Sequence, residues 1–118
     1  MLEQVFAGKK SFSVFPLKVF YFFPQETIDF PVKAGVGASG KVFKKAVDRN
    51  RIKRLLREAY RLNKMPLHDF VKEHNTQVAF FILYVGKELP HTHELQTKMP
   101  LVIDKLVNAL HENIAANI

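Results

Sequence analysis

Residues 41–64 read KVFKKAVDRNRIKRLLREAYRLNK, a segment that combines a helical pattern with most of the positive charge of the chain. It contains ten Lys and Arg residues against only Asp48 and Glu58, a net charge of +8, whereas the whole chain carries +7. The rest of the sequence is therefore close to neutral. Nearly all of the excess positive charge falls on this one segment. The whole chain has a sequence pI near 9.8.

The same segment has the apolar period of an amphipathic helix. At about 100° per residue, one third of the helix circumference collects the apolar side chains, and we expect this side to face the core. These apolar residues are Ile52, Leu55, Leu56, Ala59 and Leu62. The opposite side carries Lys53, Arg57, Arg61 and Lys64, with Arg49, Asn50 and Arg54 beside them and Arg51 near the border.

The bounds of this helix follow from its flanking residues. It should begin between Phe43 and Arg49 and end near Asn63, because Pro66 cannot continue it. Asp48 near its start could satisfy free backbone N–H groups and favour the helix dipole.

The cationic side predicts a polyanionic partner. Basic side chains four residues apart repel each other by a few tenths of a kcal/mol per pair, and an anionic partner relieves that repulsion. Nucleic acid is the first expectation. The alternative interpretation is a solvated charged surface, which is typical of helices with mixed Lys and Glu.

The composition limits the class of protein. A chain of 118 residues that is 47% apolar forms one domain with a sizeable core. The absence of Cys excludes disulfides, thiolate nucleophiles and thiolate metal sites. No signal peptide pattern and no apolar run long enough to span a membrane is found, so we expect an unexported, cytoplasmic protein.

The remaining elements are predicted from pattern and turn residues. Met1–Ala7 predicts the end of a short amphipathic helix, Leu17–Phe23 and Val32–Ala38 predict strands, and 24–31 predicts a loop. Gln77–Val85 is nearly continuously apolar, which predicts a strand covered on both faces. Leu67–Asn75 is interpreted as a loop or short helical turn. Thr97–Asn113 predicts a closing helix with Pro100 in its first turn.

No catalytic constellation is visible in the sequence. His91 and His93 lack a third metal ligand at a recognisable spacing, so we interpret them as exposed loop residues and expect no protein-bound metal. The glycine-rich run 35–40 is followed by Lys41 and Val42 where a phosphate-binding loop needs Ser or Thr.

Residues 49–61, RNRIKRLLREAYR, closely resemble the signature helix of the bacterial ribonuclease P protein component family. The resemblance implies a single-domain two-layer α+β sandwich over residues 1–118, with a mixed four-stranded sheet. It also implies the left-handed βαβ crossover shared with a ribosomal protein domain, although pattern alone favours a right-handed one. Family members carry a basic arm before the point where this sequence begins, so we expect that arm to be absent.

The resemblance also implies partners and roles. The family assists a catalytic RNA that hydrolyses a phosphodiester with Mg²⁺, removing the 5′ leader of precursor tRNA, so this chain would be a subunit of an endoribonuclease without catalytic residues of its own. It implies contacts to ribonuclease P RNA from Arg49, Arg51, Lys53 and Arg54. It implies leader contacts from Asn50, Arg57, Phe6 and Phe20, the two Phe flooring a cleft between the helix and the sheet, with Leu2 in place of an aromatic. Lys41, Lys44, Lys45 and Arg61 would add long-range attraction, while Gly40 stands where the family has a cation.

Other functions remain open at this point. A ribosomal or ribosome-assembly RNA-binding domain of related fold would suit the basic helix equally well. A helix-turn-helix DNA-binding protein would need a short helix and a tight turn before the basic helix, whereas the preceding segment is strand-like. A membrane-surface helix is disfavoured because the apolar side is needed for the core. We therefore expect neither DNA nor membrane as a partner.

Overall fold

The computed structural model of the protein describes residues 10–24 and 31–116. Its strands are β1 (Lys10–Val14), β2 (Leu17–Phe22), β3 (Val32–Ala38) and β4 (Val78–Tyr84). Its helices are α1 (Ala46–Asn63), α2 (Met65–Glu73) and α3 (Thr92–Ala116). The helix predicted for Met1–Ala7, with Leu2 and Phe6, lies outside the described residues, as does most of the predicted loop at 24–31.

The four strands form one mixed sheet in the order β1-β2-β4-β3. β2 runs antiparallel to both of its neighbours, β1 and β4, whereas β3 runs parallel to β4. This confirms the predicted mixed four-stranded sheet of an α+β domain. β4 is an inner strand of the sheet, and Val78, Phe80 and Ile82 on one of its faces are no more than 1% exposed. The predicted cover on both faces is wrong, since Phe81 and Leu83 on the opposite face are only half-buried. The handedness of the β3-to-β4 crossover stays a prediction.

Strand β1 was not predicted individually. Pro16 breaks the aromatic run, and the predicted strand therefore started after it, whereas the structure has Pro16 in the turn of a hairpin whose first strand is β1. β1 alternates Phe12 and Val14 on one face with Ser11 and Ser13 on the other. Five residues give too short a period-2 pattern to stand out beside the longer run that follows.

All three helices lie over one face of the sheet. On that inner face, Leu17, Val19, Phe80 and Ile82 are almost fully buried together with the apolar side of α1. The two-layer arrangement arises because a sheet face and a helix stripe that are both apolar must cover each other.

Helix α1 begins and ends within the predicted bounds, and Ile52, Leu56 and Ala59 are buried as predicted. The core assignment of Leu62 is wrong, since its side chain is 53% exposed. Leu62 lies at the margin of the apolar arc and borders a shallow cleft beside Pro100 of α3, so α3 leaves it uncovered. Asp48 lies in the first turn, where it complements the dipole, but no side chain caps the helix at Lys45.

Helices α2 and α3 are longer than predicted. The Pro66 that ends α1 occupies the first turn of α2, and Leu67 and Val71, one turn apart, anchor α2 in the core. Pro100 is the ninth residue of α3 rather than part of its first turn. Burial of Leu95 and Met99 holds the two preceding turns against the core. Pro100 itself is exposed, so its ring lies on the solvent side of α3.

Candidate nucleic-acid interface

The solvent side of α1 carries the predicted cations and forms what we call the outer face: Asn50, Arg51, Lys53, Arg54 and Arg57. All of these side chains are exposed except Lys53, which is half-buried. Within the described residues, no carboxylate forms an ion pair with the four cations of the outer face. The outer face therefore keeps its positive charge available to a ligand.

The contacts on either side of α1 divide the outer face into two flanks. Tyr60 packs edge-on against Phe80 of β4 and donates or accepts a hydrogen bond with His68 of α2, so its side of the helix faces the sheet and α2. Leu62 lies on the side that faces α3. Asn50, Lys53 and Arg57 recur at i, i+3 and i+7 on the sheet-side flank, and Arg51 and Arg54 occupy the other.

Arg49 has a different environment from the other arginines. It is half-buried, and its Nη1 donates to the carbonyls of Phe43 and Lys44 at 2.7 and 2.9 Å. Phe43 is buried and packs against Tyr84 with ring centroids 5.9 Å apart. Arg49 thus ties the segment before α1 to the helix, a positioning role that the sequence pattern did not reveal.

Arg61 is paired with an acid. Its Nε donates to a Glu58 carboxylate oxygen at 3.1 Å, and its Nη2 bonds the other oxygen. The hydrogen bond from Arg61 lowers the pKa of Glu58, and the same bond raises the pKa of Arg61. Arg61 therefore adds less free charge to the outer face than the predicted supporting role implied.

The supporting lysines cluster at the start of α1. Lys41, Lys44 and Lys45 are all exposed in the segment that joins β3 to the helix. Gly40 in the same segment is exposed, and a Cβ there would meet nothing within 4 Å. The structure thus extends the positive surface beyond the N-terminal end of α1.

Phe20 lies on the second face of the sheet, which points away from the helices. Its β2 neighbours Val19 and Tyr21 belong to the inner face, and Phe20 pairs with Phe81 on the other side. Phe20 therefore does not lie between α1 and the inner face of the sheet, because that space is filled by core. Phe6, the other predicted floor residue, lies outside the described residues, so the leader contact itself stays a prediction. A period of two residues along β2 determines which face Phe20 takes.

The second face of the sheet has its own aromatic and basic side chains. The Lys18 ammonium lies 5.2 Å from the centroid of Phe20. A Cβ on Gly37 of β3 would come within 2.6 Å of the Phe81 ring, so glycine at this position lets Phe81 lie across the edge strand. The sequence did not single out Phe81 as a surface residue, because it lies inside a run in which every residue is apolar.

The geometry also bears on a metal site, a membrane span and a helix-turn-helix motif. Among the residues that the structure describes, no three His, Asp or Glu side chains come together as metal ligands, and no helix is long and apolar enough to cross a membrane. The segment before α1 is strand β3 and a loop, so the helix-turn-helix alternative does not fit.

Comparisons with known proteins agree with this geometry. The family model "Ribonuclease P" matches residues 2–107. Ribonuclease P protein components from two strains of Porphyromonas gingivalis are each 38% identical over 98 residues, which cover 83% of this chain and 72% of the relative. In fold, the chain is similar to the solved RNase P protein of Staphylococcus aureus, with a TM-score of 0.66 and 21% identity over 89% of this chain and 87% of that one. This chain belongs to the ribonuclease P protein component family.

Proposed function

We propose that this protein is the RNA-binding subunit of a ribonuclease P. In this role it binds the catalytic RNA and the 5′ leader of precursor tRNA, and so assists the endonucleolytic removal of the leader. Phosphodiester hydrolysis is assigned to the RNA subunit. The observation that carries the proposal is the outer face of α1, whose cations lack carboxylate partners in the described part of the chain.

The two flanks of the outer face suggest a division of labour. We assign the flank with Arg51 and Arg54 to the catalytic RNA, because guanidinium groups bind phosphate oxygens in a bidentate manner. Asn50 and Arg57, on the sheet-side flank, are assigned to the leader. The resemblance implies a contact between Lys53 and the catalytic RNA. Because Lys53 lies next to Arg57 on the sheet-side flank, we assign Lys53 to the leader instead.

The second face of the sheet is a candidate for unpaired leader bases. Stacking on an aromatic side chain is worth about 1–3 kcal/mol per base and tolerates any base, which suits a leader of variable sequence. Phe20 and Phe81 supply aromatic rings there, with Lys18 beside Phe20. A leader that reaches these rings from Arg57 would pass around the edge strand β3.

Magnesium is assigned to the RNA. The described residues offer no cluster of three acidic or imidazole side chains that could hold a metal ion. The protein contributes positive charge that offsets the repulsion between two RNA backbones, and it thereby lowers the Mg²⁺ concentration that the assembled enzyme needs.

Reconstitution of 5′ cleavage tests this proposal. Ribonuclease P RNA and a precursor tRNA are combined at low Mg²⁺ with the wild-type chain, with Arg51→Gln/Arg54→Gln, or with Lys53→Gln/Arg57→Gln. We expect the wild type to restore cleavage, and the first variant to need a higher protein concentration. The second variant should assemble normally but lose the preference for precursor over mature tRNA. A wild-type chain that leaves cleavage unchanged would refute the role and favour the ribosomal alternative.

A further inference from the structure

A cavity of about 670 Å³ lies at the opposite end of α1 from the lysine cluster. It opens between α2 and the start of β3. Pro31, Val32, Met65 and Val71 supply its apolar lining. No role implied by the family resemblance above falls on these residues.

The polar lining of this cavity is net positive. Lys64 and Lys72 line it together with a single carboxylate, that of Asp69. The remaining polar side chains, among them His68 and Thr76, can donate hydrogen bonds without adding negative charge. An apolar wall beside two ammonium groups suits a ligand that has a flat apolar part and an anionic part.

His68 is held in place by its neighbour. Its Nε2 is 2.7 Å from the Tyr60 hydroxyl oxygen, so Nδ1 is the ring nitrogen that a ligand can reach. Burial, and then the nearby charge of Lys64, lowers the pKa of His68. Burial raises the pKa of Tyr60 to about 12, so the phenol stays protonated and the bond persists at neutral pH. The imidazole is thus held in the cavity wall by the Tyr60 hydroxyl.

The cavity continues the sheet-side flank of α1. Lys53, Arg57 and Lys64 recur at i, i+4 and i+11, which aligns them along one stripe of the helix. At 1.5 Å per residue this stripe is about 16 Å long. Tyr60 lies on the same stripe and touches His68 in the cavity wall. A strand that follows the stripe toward the C-terminal end of α1 therefore arrives at the cavity.

We propose that this cavity binds one unpaired nucleotide of the RNA strand that runs along α1, with its phosphate at Lys64 and Lys72 and its base against Val32 and Met65. The Asp69 carboxylate can accept a hydrogen bond from an amino or imino group of the base. This inference rests on the proposed function, because it extends the RNA path that Lys53 and Arg57 begin.

The test measures binding of a nine-nucleotide oligouridylate. The pocket variant is Lys64→Gln/Lys72→Gln. The matched control is Lys87→Gln/Lys98→Gln, which removes two lysines that line neither the cavity nor α1. We expect the pocket variant to bind about tenfold more weakly, and the slope of log K against log [salt] to fall by about 1.4, for two phosphate contacts of about 0.7 each. In the control variant, the loss of affinity and the change in slope should each be less than half of those in the pocket variant.

The outcomes separate this inference from the proposed function. If Lys53→Gln/Arg57→Gln weakens binding while the pocket variant binds as the wild type does, the cavity proposal is overturned and the RNA role stands. If the wild-type chain does not bind the oligonucleotide, both fail.

A second measurement does not depend on how well the variants fold. The His68 ring resonances of the wild-type protein are followed by NMR during titration with uridine 5′-monophosphate, inorganic phosphate or uridine. We expect saturable shifts with the nucleotide at lower concentrations than with either part alone. Equal shifts with phosphate and with the nucleotide would contradict binding of the base by the apolar wall. His68 resonances that do not shift with any of the three would contradict the site.

Discussion

Helix α1 has an inner face, which packs on the inner face of the sheet, and an outer face, and the two show how one helix can serve both the fold and a ligand. On the inner face, Ile52 and Leu56 are fully buried, and the helix is fixed against the sheet and α3. On the outer face, like charges stand one turn apart without a carboxylate partner among the described residues. Substitutions on the inner face should therefore act on stability, and those on the outer face on RNA binding.

The largest expected effect separates two leucines of this one helix. Leu56→Ala should lower the free energy of unfolding by about 2–5 kcal/mol, because it leaves a cavity in a packed core. Leu62→Ala removes the same atoms from a side chain that is 53% exposed, and it should cost about 0.5 kcal/mol or less. Thermal and urea unfolding of both variants measure the difference. Equal losses would mean that the inner face is not where we describe it.

Arg49 and Arg51 provide a smaller contrast at the boundary between the faces. Arg49→Gln should lower stability by about 1–2 kcal/mol, because the carbonyls of Phe43 and Lys44 lose a charged donor. Arg51→Gln should leave the unfolding midpoint unchanged and weaken RNA binding instead. Unfolding curves and RNA titrations of the two single variants would establish this. An Arg49→Gln protein as stable as the wild type would show that the bonds from Arg49 to the carbonyls of Phe43 and Lys44 are dispensable.

The pH dependence of stability should reveal His68, which faces Tyr60, Lys64 and Asp69. Burial lowers its pKa in the folded protein, so below the ordinary histidine pKa of about 6.5 the unfolded chain binds more protons. Stability should therefore fall as the pH drops from about 7 into the acid range. His68→Gln should flatten this part of the curve, measured by urea unfolding at several pH values.

The exposed His91 provides the control for that measurement. His91→Gln removes a histidine without changing the groups around His68, and it should reproduce the wild-type curve. A His68→Gln curve that declines as steeply as the wild type would contradict the assignment.

The smallest effect concerns Glu58, which is paired with Arg61 beside the outer face of α1. Glu58→Gln should release Arg61, leave the unfolding midpoint essentially unchanged and raise RNA affinity slightly, because exposed ion pairs add little stability. Fluorescence titration with labelled RNA at low salt is sensitive enough for this change. Weaker binding by Glu58→Gln would mean that Arg61 needs its acid partner to meet RNA.

Long periodic segments made most of the fold predictable. The 18 residues of α1 repeat their apolar period often enough to fix the helix and its buried side, and the β4 run reveals a central strand. Leu62 shows the limit of this argument, because whether the margin of an apolar arc is covered depends on how far a neighbouring helix extends. The start of α3 was missed since burial of Leu95 and Met99 outweighs the helix-ending tendency of Pro100.

The candidate site was predictable in its charge and less so in its geometry. The cations of the outer face follow from the helix period alone. The backbone bonds of Arg49 and the cavity beside His68 depend on contacts between elements that are distant in sequence or joined by irregular chain, and the residue pattern carries no signal for them. The side of the sheet that Phe20 takes follows from the register of β2 with β4.

The salt dependence of binding to ribonuclease P RNA shows whether the outer face of α1 binds this RNA through Arg51 and Arg54. The slope of log K against log [salt] is measured for the wild type and for Arg51→Gln/Arg54→Gln. For two lost phosphate contacts at about 0.7 per contact on single strands, we expect a slope smaller by about 1.4, with unchanged unfolding. A double variant with the wild-type slope and affinity would contradict this role of the outer face.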